Sequence, residues 1–90
     1  MYEILYVSQV VNEDLPNILE PWKSEIKKAI ESKLMARPER YSRPLRRSLK
    51  GYRKLRVEDY RIVFRIEENI VKIFVIQHRS KVYVTAPERL

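Results

Sequence analysis

Apolar positions along this chain switch between helical and strand spacing. Trp22, Ile26, Ile30 and Leu34 recur every four residues with Ala29 beside them, while Lys23, Lys27, Lys28 and Glu31 fall mostly off that line. One apolar stripe at this spacing predicts an amphipathic helix whose stripe, Trp22 included, is core. Pro21 opens it at a position proline favours, and the pattern fades by Ala36. Upstream, Tyr2 to Val7 is short, apolar and aromatic, and predicts a strand. Asn12 is placed to cap a short helix over about Glu13 to Leu19, with Asp14 in its first turn complementing the helix dipole. Pro16 is tolerated only near that start, where backbone N–H groups lack intrahelical partners. Arg37-Pro38 and Arg43-Pro44 mark an irregular basic connection.

Past Gly51 the spacing becomes two. Two strands joined near Glu58-Asp59 set Val57 opposite Tyr60, Arg56 opposite Arg61, Leu55 opposite Ile62 and Lys54 opposite Val63. Side chains alternate between faces along a strand. Leu55, Val57, Tyr60, Ile62, Phe64 and Ile66 therefore share one face, the core face. Tyr52, Lys54, Arg56, Arg61 and Arg65 share the other, with Val63 among them. Arg53 falls on the core face, so it belongs near an edge with its guanidinium reaching out. After a turn at Glu67 to Asn69, Ile70 to Ile76 is almost wholly apolar, as in a strand covered on both sides. Gln77 to Tyr83 reads as a polar tail. These elements predict one α+β domain over residues 1–90: an N-terminal helical hairpin packed on a mostly antiparallel sheet of about four strands.

Composition narrows the class. Ninety residues with 44% apolar content suffice for one modest core. The chain has no cysteine, so no disulfide framework and no thiolate metal site, which fits a reducing cytoplasm. Ile70 to Ile76, the longest apolar run, is interrupted by Lys72 and is far short of the roughly 20 residues a membrane helix needs. A single glycine excludes a phosphate-cradling glycine loop. Glu58-Asp59 and Glu67-Glu68 each sit in a turn, and no carboxylate–histidine group has metal-ligand spacing, so neither metal nor cofactor is expected.

Charge changes the picture more. The formal net charge is +7. Residues 37–65 hold the positive excess, with Glu39, Glu58 and Asp59 their only acids, and Tyr41, Tyr52, Tyr60 and Phe64 are interleaved with the cations. A clustered positive field on strand-forming sequence suits a polyanion, because Lys and Arg release condensed counterions when they neutralise phosphates. Arg56 opposite Arg61 is a repulsive cross-strand pair that costs stability, which points to an anionic partner.

The run Pro44-Leu45-Arg46-Arg47-Ser48-Leu49-Lys50-Gly51-Tyr52-Arg53-Lys54-Leu55-Arg56-Val57-Glu58-Asp59-Tyr60-Arg61-Ile62-Val63-Phe64-Arg65-Ile66 resembles the central pattern of the RelE/ParE toxin superfamily. His78-Arg79-Ser80-Lys81-Val82-Tyr83 resembles the close of its RelE branch, and the likeness runs from about residue 2 to 84. It implies a four-stranded antiparallel sheet with an N-terminal helical hairpin, and the toxin of a type II toxin–antitoxin pair. RelE members cleave messenger RNA in the ribosomal A site without metal. ParE members inhibit DNA gyrase and lack the nuclease residues; a catalytically inactive RNA- or ribosome-binding relative is a third possibility. The implied partners are a cognate antitoxin, the ribosome and mRNA, with no membrane. Tyr52 stands where the RelE branch often carries a second lysine, and Glu58 where a turn glycine is common.

RNA brings its own nucleophile, the 2′-hydroxyl. The enzyme must deprotonate it, stabilise the phosphorane and protonate the leaving 5′-oxygen. Arg61 and Arg79 suit the phosphorane, because a guanidinium fork matches phosphate oxygens. Lys54 suits the base if the nearby cations Arg56 and Arg61 favour its neutral form. His78, the only histidine, suits base or acid, or a structural hydrogen bond. Tyr83 suits stacking on a base, orienting the nucleotide, donating a proton, or anchoring the tail. Arg47, Lys50, Tyr52, Arg56, Arg65 and Lys81 are assigned to RNA and phosphate contacts.

Overall fold

A computed structural model describes residues 1–90. Its elements grow from the two spacings. The strands are β1 (Glu3–Tyr6), β2 (Arg43–Pro44), β3 (Arg53–Val57), β4 (Tyr60–Glu67) and β5 (Ile70–His78). The helices are α1 (Trp22–Ala29), α2 (Pro38–Tyr41) and α3 (Arg79–Arg89). The sheet has five strands in the order β1-β5-β4-β3-β2. The central hairpin has the register that parity requires: Val57 faces Tyr60, Arg56 faces Arg61, Leu55 faces Ile62 and Lys54 faces Val63. β1 runs parallel to β5, and the other pairings are antiparallel. The predicted α+β class holds, with the two-residue β2 as an extra edge strand.

Ile26, Ala29, Ile30 and Leu34 pack with Leu55, Ile62, Phe64, Val71, Ile73 and Ile76 in the main core. Trp22 departs from the stripe reading. It stands at the open start of α1 and is 40% exposed. Beyond Ala29 the helix continues as a wider turn over Ile30–Leu34. The upstream helical segment differs from the expected one. Its backbone bonds begin with Val10 and Val11 donating to the Val7 carbonyl, because Val10 must enter the core. Asn12 consequently lies inside the wide turn Val10–Asp14 rather than capping a helix. Asp14 ends that turn and is buried, so it serves no first-turn dipole. Pro16 sits in the tight turn Leu15–Asn17 that follows.

The larger correction concerns the second face. Gln77 and His78 extend β5, and residues 79–89 form a helix instead of a polar tail. Val82 and Ala86 of α3 pack on Val63 and Val75, all four fully buried, with Leu45, Leu49, Tyr52, Phe74 and Leu90 around them. A bulge shifts the pairing from Val63↔Val75 to Phe64↔Ile73, which leaves Phe74 on the α3 side. Val63 is thus core, and Tyr52 is a half-buried member of this second layer. Arg53 does lie near the β2 edge. Its guanidinium donates to Ser42 Oγ at 2.8 Å and to the Glu39 and Ser42 carbonyls at 3.1 and 3.2 Å, closing the end of α2. No helix is long and apolar enough to cross a membrane.

The two buried neighbours on β4 test the two layers. Ile62→Ala should cost roughly 2–5 kcal/mol. Val63→Ala, on the opposite face, should cost about 1–3 kcal/mol. Urea unfolding of both variants checks this, and a Val63→Ala chain as stable as the parent would mean that α3 does not pack there.

Candidate functional site

The second face is only half covered by α3, and what remains open is a groove of about 520 Å³. Its walls are Lys54, Arg61, His78, Arg79, Ser80 and Tyr83. Every residue assigned to chemistry from the sequence lies here, joined by Ser80. Three elements bring them together. β3 presents Lys54, β4 presents Arg61, and the direct passage from β5 into α3 presents the rest.

Each cation is held by a short-range contact. Lys54 Nζ donates to the Tyr83 hydroxyl at 3.2 Å and lies 5.5 Å from the centre of its ring. Arg61 does not simply oppose Arg56. Its guanidinium turns back to donate to the Glu58 and Tyr60 carbonyls, both at 2.9 Å. Arg79 donates its amide to the Asp59 carbonyl at 2.7 Å, and its Nε lies 3.7 Å from the Asp59 carboxylate. One turn, Glu58-Asp59, therefore places both groove arginines. Glu58 has φ +53°, a left-handed conformation that suits the glycine common here in the family pattern.

His78 differs from the others in origin. It pairs with Tyr60, so strand parity puts it toward the core face, and the two rings meet edge to face at 5.7 Å. It reaches the groove because it ends β5. Its Nδ1 accepts the Ser80 amide at 3.2 Å and lies 2.9 Å from Ser80 Oγ, so it caps α3. An Nδ1 that accepts an amide proton leaves the ring proton of neutral imidazole on Nε2, as a donor.

The expected phosphate contacts spread away from the groove. Arg47 and Lys50 are exposed on the connection between β2 and β3. Arg43 is the cross-strand partner of Lys54 and, with Arg46, lines a basic depression on its other side, which extends the positive surface toward β2. Arg56 is exposed near α1, beside Lys28 and Lys33. Lys81 opens onto an adjoining cleft with Glu13, Asn17 and Gln77, which shares His78 and Ser80 with the groove. Arg65 is engaged by Glu67, whose hydrogen bond and charge raise the guanidinium further above its ordinary range, and it lies 5.5 Å from the centre of the Tyr52 ring. Sequence reasoning missed Ser80 and Asp59. Asp59 had a local signal in its turn position, whereas Ser80 had only its place between Arg79 and Lys81.

A family model described as the ParE toxin of the type II toxin–antitoxin system parDE matches residues 5–83. The chain is 26% identical to a chain of the toxin–antitoxin complex RelBE2 from Mycobacterium tuberculosis, with a TM-score of 0.81 over 87% of this chain and 98% of that one. It shares its fold with the YoeB–YefM complex of Staphylococcus aureus (21% identity, TM-score 0.57, 87% and 97% covered). It shares it also with YafQ of E. coli (16% identity, TM-score 0.58, 92% and 99% covered). No curated protein matches the chain.

Stability separates scaffold from surface within the groove. His78→Ala removes the cap of α3 and should cost about 0.5–2 kcal/mol. Tyr83→Phe, at an exposed ring, should stay within about 0.5 kcal/mol of the parent. Denaturant melts of the two variants give the comparison, and equal losses would deny His78 its capping role.

Proposed function

The chain belongs to the ParE toxin family of type II toxin–antitoxin systems, and from that premise we propose that it is a metal-independent, ribosome-dependent endoribonuclease acting on messenger RNA. The observation that carries this reading is the convergence of Lys54, Arg61, His78, Arg79 and Tyr83 on one open groove.

The groove suits attack by the RNA's own 2′-hydroxyl. Lys54 is the proton acceptor as the 2′-oxygen bonds to phosphorus. Arg61 and Arg79 face the equatorial oxygens, where negative charge builds, with the Nε2 proton of His78 as a further donor. Arg61 is free to do so because its present partners are turn carbonyls, which a phosphate outbids by charge. The bond from phosphorus to the 5′-oxygen breaks, and Tyr83 protonates that oxygen. Lys54, 3.2 Å from the Tyr83 hydroxyl, then returns the proton it took. The products are a 2′,3′-cyclic phosphate and a 5′-hydroxyl, with no net proton gained or lost by the protein. The groove offers few strong bases, so the ribosome supplies substrate positioning.

Its partner is a cognate antitoxin, the arrangement found in the RelBE2 complex. A +7 chain with a focused positive field favours an antitoxin segment that is acidic or amphipathic, with fast and salt-sensitive association. The match to a ParE toxin model favours a second reading, that of the ParE branch the sequence also resembles: a protein that inhibits DNA gyrase and performs no chemistry. The Lys54–Tyr83 contact and the two groove arginines are what that reading leaves without a role.

Arg61→Ala decides between them. Loss of one cation aimed at the phosphorane should lower cleavage roughly 10²–10³-fold, while the fold keeps its stability within about 1 kcal/mol. Primer extension on translated and on naked transcripts reads the rate, with cutting expected only on the translated one. Gyrase-dependent DNA breaks with intact mRNA would establish the second reading instead.

A further inference from the structure

α3 carries much of the groove, yet it is fastened most firmly at its far end. We propose that Asp14 and Arg89, neither of which lines the groove, are positioning residues that fix the angle of α3 and so hold the Tyr83 hydroxyl against Lys54. The consequence for rate rests on the nuclease reading; the consequence for geometry does not.

No loop separates strand from helix here: β5 ends at His78 and α3 begins at Arg79. That junction is a joint about which the helix tilts. At a rise of 1.5 Å per residue, Tyr83 lies roughly 6 Å from the joint and Arg89 roughly 15 Å, so a tilt of about 10° carries Tyr83 about 1 Å. Near the joint the His78 cap, the Arg79 amide and the exposed Arg79–Asp59 pair oppose such a tilt, all of them too close to the pivot to have much leverage on it. Beneath the helix, Val82 and Ala86 are small and rest on Val63 and Val75. A contact of that kind favours closeness and is weakly directional. The outward face of α3 is polar or exposed and adds nothing.

The far end is directional. Arg89 grips Asp14 with both guanidinium arms, at 2.7 and 3.2 Å, and donates also to the Phe74 carbonyl at 3.0 Å. Asp14 accepts in addition the Ile76 amide at 2.9 Å and Gln77 Nε2 at 3.0 Å. The side chains of Arg89 and Asp14 are 8% and 1% exposed. Asp14 arrives from the helical segment on one face of the sheet and Arg89 from the helix on the other. They meet at the stretch of β5 edge past Ile73, where pairing with β1 has ended. A buried ion pair seldom stabilises a fold more than apolar side chains of the same volume. What the bidentate fork adds is a single orientation.

The test replaces the pair by apolar side chains, Asp14→Leu with Arg89→Met, in a chain carrying 3-fluorotyrosine at position 83. Lys54→Met calibrates the fluorine resonance of a Tyr83 that has lost its partner. The double variant is expected to fold, to move the resonance toward that calibrated position, and to lower kcat on ribosome-bound mRNA roughly 10- to 100-fold with KM unchanged. An unmoved resonance overturns the proposal. If the parent protein cuts no RNA, the nuclease reading fails, and the fluorine signal still decides the positioning. If the double variant does not fold, Arg89→Lys decides in its place, since it keeps the charge and loses the fork. A displaced resonance supports the role, and a parental resonance with parental kcat ends it.

Discussion

The burial of β5 on both faces is the constraint from which the other features follow. Val71, Ile73 and Ile76 face the main core, and Val75 faces α3. A strand apolar on both sides needs two covering layers, and a chain of 90 residues has little with which to build the second. α3 is that layer, and it is narrow. Its apolar contact reaches Val63 and Val75 and stops short of Lys54 and Arg61, which lie on the same face toward the turn and the β3 edge, so that only the Tyr83 side chain reaches Lys54. The groove is what a short helix leaves uncovered on a sheet that must be covered. Chemistry-bearing residues therefore border a packed layer, where their positions are set by apolar contacts behind them.

The electrostatics follow from the same partition. Cations on α2, β2 and the connection into β3 have no carboxylate partner, since ion pairs form only at Arg65–Glu67, Arg79–Asp59 and Arg89–Asp14. The first two are exposed and contribute little to folding. The third is buried and joins the two layers. Between these extremes, Arg61 and Lys54 are held by neutral acceptors, two carbonyls and a phenol. Neutral partners orient a cation without cancelling its charge, and the positive field of the groove survives its own preorganisation.

Much of the fold was legible because its signals are local. The Val57–Tyr60 hairpin follows from parity alone, and the Ile26–Ile30–Leu34 stripe from periodicity. The second layer gave no comparable signal. α3 has only two buried apolar positions, Val82 and Ala86, with Leu90 just past its end. It carries Pro87 near its end, and its cap is a histidine in place of the usual Ser, Thr, Asp or Asn. Asp14 and Arg89 lie 75 residues apart, and neither belongs to a pattern that announces the other. The gathering of Lys54, Arg61 and Tyr83 was readable only through family likeness, since parity relates the first two and nothing local relates either to Tyr83. Trp22 was misread because spacing reports a face of a helix and not where the core beneath it ends.

Tyr52 shows how the two layers bear on the chemistry. The RelE branch that the sequence resembles often carries a lysine at this position, where this chain has Tyr52. Here the Tyr52 ring meets Phe74 edge to face at 5.4 Å and sits under the Arg65 guanidinium. It packs among the side chains around Val63 and Val75, and it does not line the groove. A lysine there would have to bury its stem in that layer and carry its ammonium out past the Arg65 cation, at a cost in both desolvation and repulsion. The position has been given over to packing. On the proposed nuclease reading, proton transfer falls to Lys54, the groove lysine that is in contact with Tyr83. On the same reading the Tyr83 hydroxyl is the relay, and the angle of α3 then bears on the proposed chemistry as well as on the fold.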